Sequence, residues 1–375
     1  MKIIAYYLPQ FHETKQNNEW WGKGFTEWTN VKKSKPLYKG HYQPRVPLNQ
    51  NYYDLLDDNV KKWQIKLAKE HGIYGFCFYH YWFNDGELLL EKPVEQFLEN
   101  KSLDIHFCLS WANEPWTKAW VSKQDQILIG QNYGNKTVWK KHFEYLLPYF
   151  KDSRYICENN KPLFIIYRPE IIENLNEMLD YWDNLSQING FSGMEYAYQG
   201  IWFDQIKNRD DSRFTYNIEY EPDYGKSRLS SKEKKMLVKL AKSIDELSFK
   251  VFNHKLSEFY LRRVRRLSYD DVWNAINSYI PSDHKRIAGA FVDWDNTPRR
   301  GLKGLVIEGA SPEKFYVYFK ERIKKVKQFY SSDMIFIFAW NEWAEGGYLE
   351  PDQRYKDKYL RAIKKALEEL DEFRI

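Results

Sequence analysis

Eight short apolar runs, each ending in a knot of polar and aromatic residues, constrain what this chain can fold into. The runs are Ile3–Leu8, Ile73–Trp82, Ile105–Trp111, Pro162–Tyr167, Glu195–Gln199, Phe214–Ile218, Ile287–Val292 and Ile335–Trp340. Their length and unbroken apolarity suit strands buried on both faces, as in a parallel sheet. Helical periodicity fills most of the gaps: Asp54–Glu70, stopped by His71-Gly72, then Glu91–Asn100, Thr137–Tyr149, Ile172–Ile188, Pro312–Tyr330 and Tyr355–Phe373. Eight strands with helices between most of them predict a single (β/α)8 barrel over residues 1–375 with long βα loops. Its strand ends would all face one rim. A doubly wound sheet would instead gather such residues at a switch point, and neither G-x-G-x-x-G nor G-x-x-x-x-G-K-[ST] occurs. A Lys/Arg-rich, helix-patterned stretch, Ser231–Asp283 with Arg262-Arg263 and Arg265-Arg266, predicts a helical insertion at about 223–285.

The last run carries the strongest chemical signal. Phe336–Trp340 leads directly into Asn341-Glu342-Trp343-Ala344-Glu345, and Gly346-Gly347 then break regular structure. Two carboxylates three residues apart share one face if the chain makes a helical turn, with Cβ atoms roughly 5–6 Å apart. That spacing lets both touch one glycosidic unit, Glu342 and Glu345 being the candidate catalytic pair. Burial beside the indoles of Trp340 and Trp343 would raise the pKa of an acid. The chain also holds 15 Trp, 29 Tyr and 23 Phe, more flat faces than a core requires. Carbohydrate uses such faces best, although packing between elements absorbs some of them.

Candidate substrate-binding residues lie past the other runs. Tyr7 and His12 follow the first, and the long loop beyond them offers Trp21, Glu27, Trp28, His41 and Gln43 as a subsite wall. His80, Tyr81 and Trp82 close the second run. Trp111, Asn113 and Glu114 follow the third, and Arg168 follows the fourth. Arg168 is placed either to hold an anionic substituent or to pair with Glu219 or Glu221. Trp294 follows the seventh run, and Trp340, Asn341 and Trp343 complete the set.

These motifs resemble a known family. Tyr6-Tyr7-Leu8-Pro9-Gln10-Phe11-His12, Trp21-Gly22-Lys23-Gly24-Phe25-Thr26-Glu27-Trp28, His41-Tyr42-Gln43-Pro44, Phe78-Tyr79-His80-Tyr81-Trp82, Ser110-Trp111-Ala112-Asn113-Glu114, Tyr167-Arg168-Pro169 and Trp340-Asn341-Glu342-Trp343-Ala344-Glu345-Gly346 together look like the WbsX-like proteins of bacterial polysaccharide loci. These proteins are also described as glycoside hydrolase family 99-like, related to endo-α-mannosidase. The resemblance implies a retaining (β/α)8 enzyme. It also implies Glu342 as base on the sugar 2-OH, giving a 1,2-anhydro sugar, and Glu345 as general acid/base.

Two other classes fit part of the sequence. Asp293-Trp294-Asp295 is a D-x-D string that could hold a divalent metal in a nucleotide-sugar glycosyltransferase of O-antigen or capsular polysaccharide biosynthesis. The Trp-rich loops would also serve a non-catalytic glycan-binding protein. A net charge of +5 gives no argument for nucleic acid. Cys77, Cys108 and Cys157 have no metal-ligand spacing; the first two fall in strands, which predicts buried thiols. The N-terminal apolar run is too soon interrupted for a signal peptide, and no run approaches about 18 residues. The expectation is a cytoplasmic enzyme of oligosaccharide or polysaccharide, without cofactor, metal or membrane span.

Overall fold

The computed structural model describes residues 1–117, 127–229 and 263–373. Eight parallel strands close on themselves: β1 (Lys2–Tyr7), β2 (Ile73–Phe83), β3 (His106–Trp111), β4 (Lys161–Ile166), β5 (Glu195–Gln199), β6 (Tyr216–Ile218), β7 (Arg286–Phe291) and β8 (Met334–Phe338). Closure is at β1, which pairs with β2 on one side and with β8 on the other, Ala5 standing opposite both Phe76 and Ile337. The fold is the (β/α)8 barrel that the alternation predicts. Each of the eight runs is a strand of it, displaced by at most two residues at either end.

Helices Asp58–Glu70, Lys92–Glu99, Lys136–Phe150, Leu175–Ile188, Tyr269–Ser278, Pro312–Phe329 and Lys358–Glu368 surround the strands. Their starts follow local chemistry. Asp57, Asn135, Ser268 and Ser311 each accept a backbone N–H of the first turn, and Pro312 occupies a position where its missing N–H is harmless. Within the proposed 223–285 insertion, Tyr269–Ser278 lies against the barrel, its Asn277 side chain donating to the Tyr318 carbonyl. Residues 230–262, which include Arg262, lie outside the described residues.

Side-chain parity divides the aromatic residues between two layers. Tyr6, Tyr79, Tyr220 and Phe336 meet in the barrel lumen, with ring centroids 5.3–5.7 Å from Tyr6. Cys77 and Cys108 are buried free thiols on neighbouring strands, as predicted, and Cys157 is exposed. Tyr7, Phe76, Phe78, His80 and Trp82 point the opposite way, into the layer between strands and helices.

That outer layer also holds charge. The guanidinium of fully buried Arg322 donates to the Gly289 carbonyl (3.1 Å) and to Glu219, whose other oxygen accepts from Tyr330 (3.0 Å). Removing one partner strands the other charge without water. Arg322→Met is therefore expected to lower stability by about 3–5 kcal/mol in urea unfolding. Adding Glu219→Gln should recover much of that loss; a single variant as stable as the parent would show that the pair contributes nothing.

Candidate active site

At the C-terminal ends of the strands, one guanidinium holds three carboxylates. Arg299 Nε donates to Glu27 Oε1 at 2.8 Å, Nη2 to Glu342 Oε2 at 3.0 Å, and Nη1 contacts Glu345 Oε1 at 2.9 Å. Each acid arrives by a different local device. Glu27 opens the helix Glu27–Lys33, whose capping box joins Thr26 and Thr29, and its N–H is fixed by the Gln10 carbonyl (3.1 Å). Glu342 ends β8's continuation. A single 3-10 turn, Trp343–Glu345, then brings Glu345 round beside it, and Gly346 terminates that turn at φ 70°. The three-residue spacing thus places both acids on one guanidinium.

Arg299 is itself held in place. It sits in the short helix Thr297–Arg300, whose first residue gives both its N–H (3.0 Å) and its hydroxyl (2.6 Å) to Asp295 Oδ1. Asp295 Oδ2 accepts from Gln43 Nε2 (2.7 Å) and His41 Nε2 (2.8 Å). His41 Nδ1 accepts the Leu37 N–H at 3.0 Å, which leaves the ring proton on Nε2. His41 and Gln43 therefore belong to the site as groups that position Arg299 through Asp295.

Burial drives the electrostatics. The Glu342 carboxyl is pushed up to about 8, because it is desolvated and stands beside Glu345 and Glu27; Arg299 opposes the shift. Glu345 is raised as well, first by burial and then by Asp223 and Glu27, against Arg299 and Lys226. Desolvation and the mutual repulsion of the acids thus raise both carboxyls against the pull of Arg299.

The surroundings are aromatic. Tyr81 approaches the cluster from β2, and its ring lies 5.6 Å from that of Trp116, which in turn lies 5.9 Å from Trp20. Trp294 is buried, with its Nε1 unpartnered and Lys226 Nζ 4.6 Å from its ring.

Of the residues singled out from sequence, Glu27, Tyr81, Trp294, Glu342 and Glu345 come together here. Others serve the scaffold, and parity explains most of these. Tyr7 donates to Gln64 (2.7 Å) outside the lumen. His80 faces outward onto His142, Nε2 to Nε2 at 2.8 Å, and burial lowers it to about 3; Trp82 stacks on His142 at 4.3 Å. Trp111 packs against Trp182 and His142. Trp340 and Trp343 do not flank Glu345; both indoles donate to Glu350, at 3.1 and 2.6 Å. Trp28 packs on Trp343 and donates to the Tyr53 carbonyl, and half-buried Trp21 contacts Phe25. His12 is buried on the Pro9 carbonyl. Asn341 clasps both the N–H (2.8 Å) and the carbonyl (3.0 Å) of Leu8, tying β8 to β1. Asn113 does the same for Arg168, whose guanidinium pairs with Glu114 and Glu170 instead of Glu219 or Glu221.

The sequence reading missed Arg299, Lys226, Trp20 and Trp116. Arg299 had a usable signal: strand ends converge in this fold, so three acids meeting there require a cation, and Thr297-Pro298-Arg299 follows the seventh strand. The D-x-D carboxylates are already engaged, Asp293 by Arg45 Nη1 (2.9 Å) and the Trp294 N–H, Asp295 by the four donors above.

The closed ring of eight parallel strands, with its mouth at their C-terminal ends, defines a (β/α)8 barrel. The chain matches the family described as Glycosyltransferase WbsX over residues 3–363 and belongs to it. It is 34% identical over 370 residues to the uncharacterized protein WxcX of Xanthomonas campestris pv. campestris, covering 97% of this chain and 49% of that one. The chain thus spans about half the length of the curated relatives it matches. Among solved structures, the GH99 endo-alpha-mannosidase from Bacteroides thetaiotaomicron superposes with a TM-score of 0.56 at 14% identity, covering 99% of this chain and 97% of that one. A protein described as glycoside hydrolase-like superposes at 0.55 with 11% identity, covering 100% and 94%. Among the described residues no helix is long and apolar enough to cross a membrane.

The sign of the Glu342 shift gives a test. Unfolded, this carboxyl loses its proton near 4.5; folded, near 8. Between those values the folded state holds the extra proton, so the contribution present at low pH is lost as pH rises. The slope reaches at most about 1.4 kcal/mol per pH unit. Glu342→Gln should flatten the decline in urea-unfolding free energy between pH 5 and 8; parallel curves for both proteins would refute the shift.

Proposed function

We propose that this protein is a retaining glycoside hydrolase or transglycosylase acting on a bacterial oligosaccharide or polysaccharide. The observation that carries the reading is the Glu342–Glu345 pair at the barrel mouth, both acids within 3.0 Å of one guanidinium and sharing its charge. Glu342 takes the proton of the sugar 2-OH as O2 attacks C1. Glu345 protonates the departing glycosidic oxygen, leaving a 1,2-anhydro sugar. Glu345 then removes a proton from water or an acceptor hydroxyl, which attacks C1 and opens the three-membered ring. Glu342 returns its proton to O2, and two inversions give net retention. Tyr81, Trp116, Trp20 and Trp294 offer aromatic faces to the sugar rings.

In the substrate-free cluster Glu342 is pushed up to about 8. Its role as base therefore requires that proton to leave when the 2-OH docks. A leaving-group comparison tests the two roles. Glu345→Gln is expected to lose roughly 10²–10⁴-fold on sugar leaving groups and much less on activated aryl ones, because the latter need little protonation. Glu342→Gln should lose both alike. The reverse pattern would exchange the roles, and parental turnover in Glu345→Gln would place the chemistry elsewhere or leave only glycan binding. NMR of the first-formed anomer checks retention.

The family's description as glycosyltransferase favours a second reading, transfer from a nucleotide sugar. Against it, both D-x-D carboxylates are bound by protein donors. Turnover of a nucleotide sugar that stops on chelation would decide for transfer. We read the chain as one catalytic barrel domain bearing the 223–285 insertion. The buried free thiols Cys77 and Cys108 suit a reducing cytoplasm; recovery of the protein outside the cytosol on cell fractionation would overturn that placement.

A further inference from the structure

A second chamber lies behind the catalytic mouth. It has a volume of about 200 Å³ and is walled by Tyr38, Tyr42 and Arg45 of the first loop, Asp293 and Asp295 past β7, residues 306–310, and Arg354 with Tyr355. The partition between chamber and mouth is one short strand, Trp294–Asp295, which pairs antiparallel with Leu305–Glu308. Alternation along the partition turns Trp294 towards Phe338 and Lys226 on the mouth side and the two aspartates towards the chamber.

Charge in the chamber is unequally satisfied. Every carboxylate in or beside it is engaged: Asp293 by Arg45, Asp295 by His41, Gln43 and Thr297, Glu308 by Arg266 (3.5 Å), and Asp352 by the hydroxyls of Tyr42 and Tyr348. The cations are not. Arg45 is buried, yet its Nε has no partner. Arg354 is exposed and makes no ion pair among the described residues; its guanidinium lies 4.5 Å from the Tyr42 ring and 5.0 Å from the Tyr355 ring. Two guanidiniums converge on Tyr42, since Arg45 stands 4.4 Å from the same ring. The Arg354 fork, unpaired by any carboxylate among the described residues and held against two tyrosine rings at the edge of the chamber, matches the acid of a sugar unit. The volume is below the roughly 300–1,000 Å³ of larger ligand sites, so it suits one sugar unit and not a chain.

We propose that this chamber is an accessory site for a single uronic-acid unit, its carboxylate on Arg354 and its ring within the chamber. The site is separate from the Glu342–Glu345 pair and does not depend on the reaction proposed for it.

The test is titration of the full chain with the methyl glycosides of D-glucuronic and D-galacturonic acid, with methyl glucoside as the neutral control, by calorimetry and saturation-transfer NMR. At least one uronide should bind saturably, and the glucoside at least tenfold more weakly. Arg354→Gln should weaken the uronide at least tenfold, while Glu345→Gln binds it as the parent does. Arg354→Lys, which keeps the charge without the fork, should fall in between, and it carries the test alone if the glutamine variant fails to fold. No saturable binding of either uronide, equal binding of the glucoside, or parental affinity in the Arg354 variants would overturn the proposal.

Discussion

A single guanidinium shared among three acids governs the architecture of this mouth. Arg299 fixes where Glu27, Glu342 and Glu345 can stand, and its three donors match three oxygens at 2.8–3.0 Å. A guanidinium suits this task because its fork is planar, permanently charged and weakly hydrated. Its charge does not offset the desolvation and mutual repulsion of the acids. Glu342 and Glu345 are both raised in consequence, which is the condition for one group to donate and another to accept. The support chain runs outward from Arg299 through Thr297 and Asp295 to His41 and Gln43. In this way the first loop, forty residues into the chain, sets the geometry of acids near its other end.

The abundance of aromatic side chains has two explanations, and the structure separates them. Most large rings are structural. Trp82, Trp111, Trp182, Trp340 and Trp343 lie in the layer between strands and helices or beneath the loops, each packed edge or face against another ring or giving its N–H to an oxygen. Glu350 belongs to that layer, accepting from Gln64, Tyr53, Trp340 and Trp343. Burial pushes it up to about 7 while those four donors pull it back. Tyr81 instead turns towards the acids, with Trp116 and Trp20 beyond it and Trp294 across Lys226, while Tyr79, Tyr167 and Tyr220 lie within reach of the same charges.

The barrel was legible because its signal is repeated: eight apolar runs of strand length, each a continuous hydrophobic segment because both faces are covered. The acid pair was legible because a three-residue spacing after a buried strand has few geometric outcomes. Neighbouring residues were not, because strand parity can be read only within a strand whose inward face is known. His80 and Trp82 stand one position on either side of Tyr81, and that single step turns them away from the mouth. Asn113 and Asn341 failed for another reason. A side-chain amide that bridges backbone groups across a loop has the same composition as one that binds a sugar hydroxyl, and only coordinates distinguish them.

The Asn341 clasp on Leu8 has a consequence for how the barrel comes into being. It spans 333 positions of sequence, and it locks the one seam where the last strand meets the first. Glu342 is the next residue. The acid pair is therefore attached to a contact of long sequence separation, a kind that forms slowly. During synthesis the first strand waits with one edge unpaired until the eighth is made. A partly closed ring would hold seven strands correctly and still lack the pair of acids on Arg299, so that cluster forms only when the whole circle is complete.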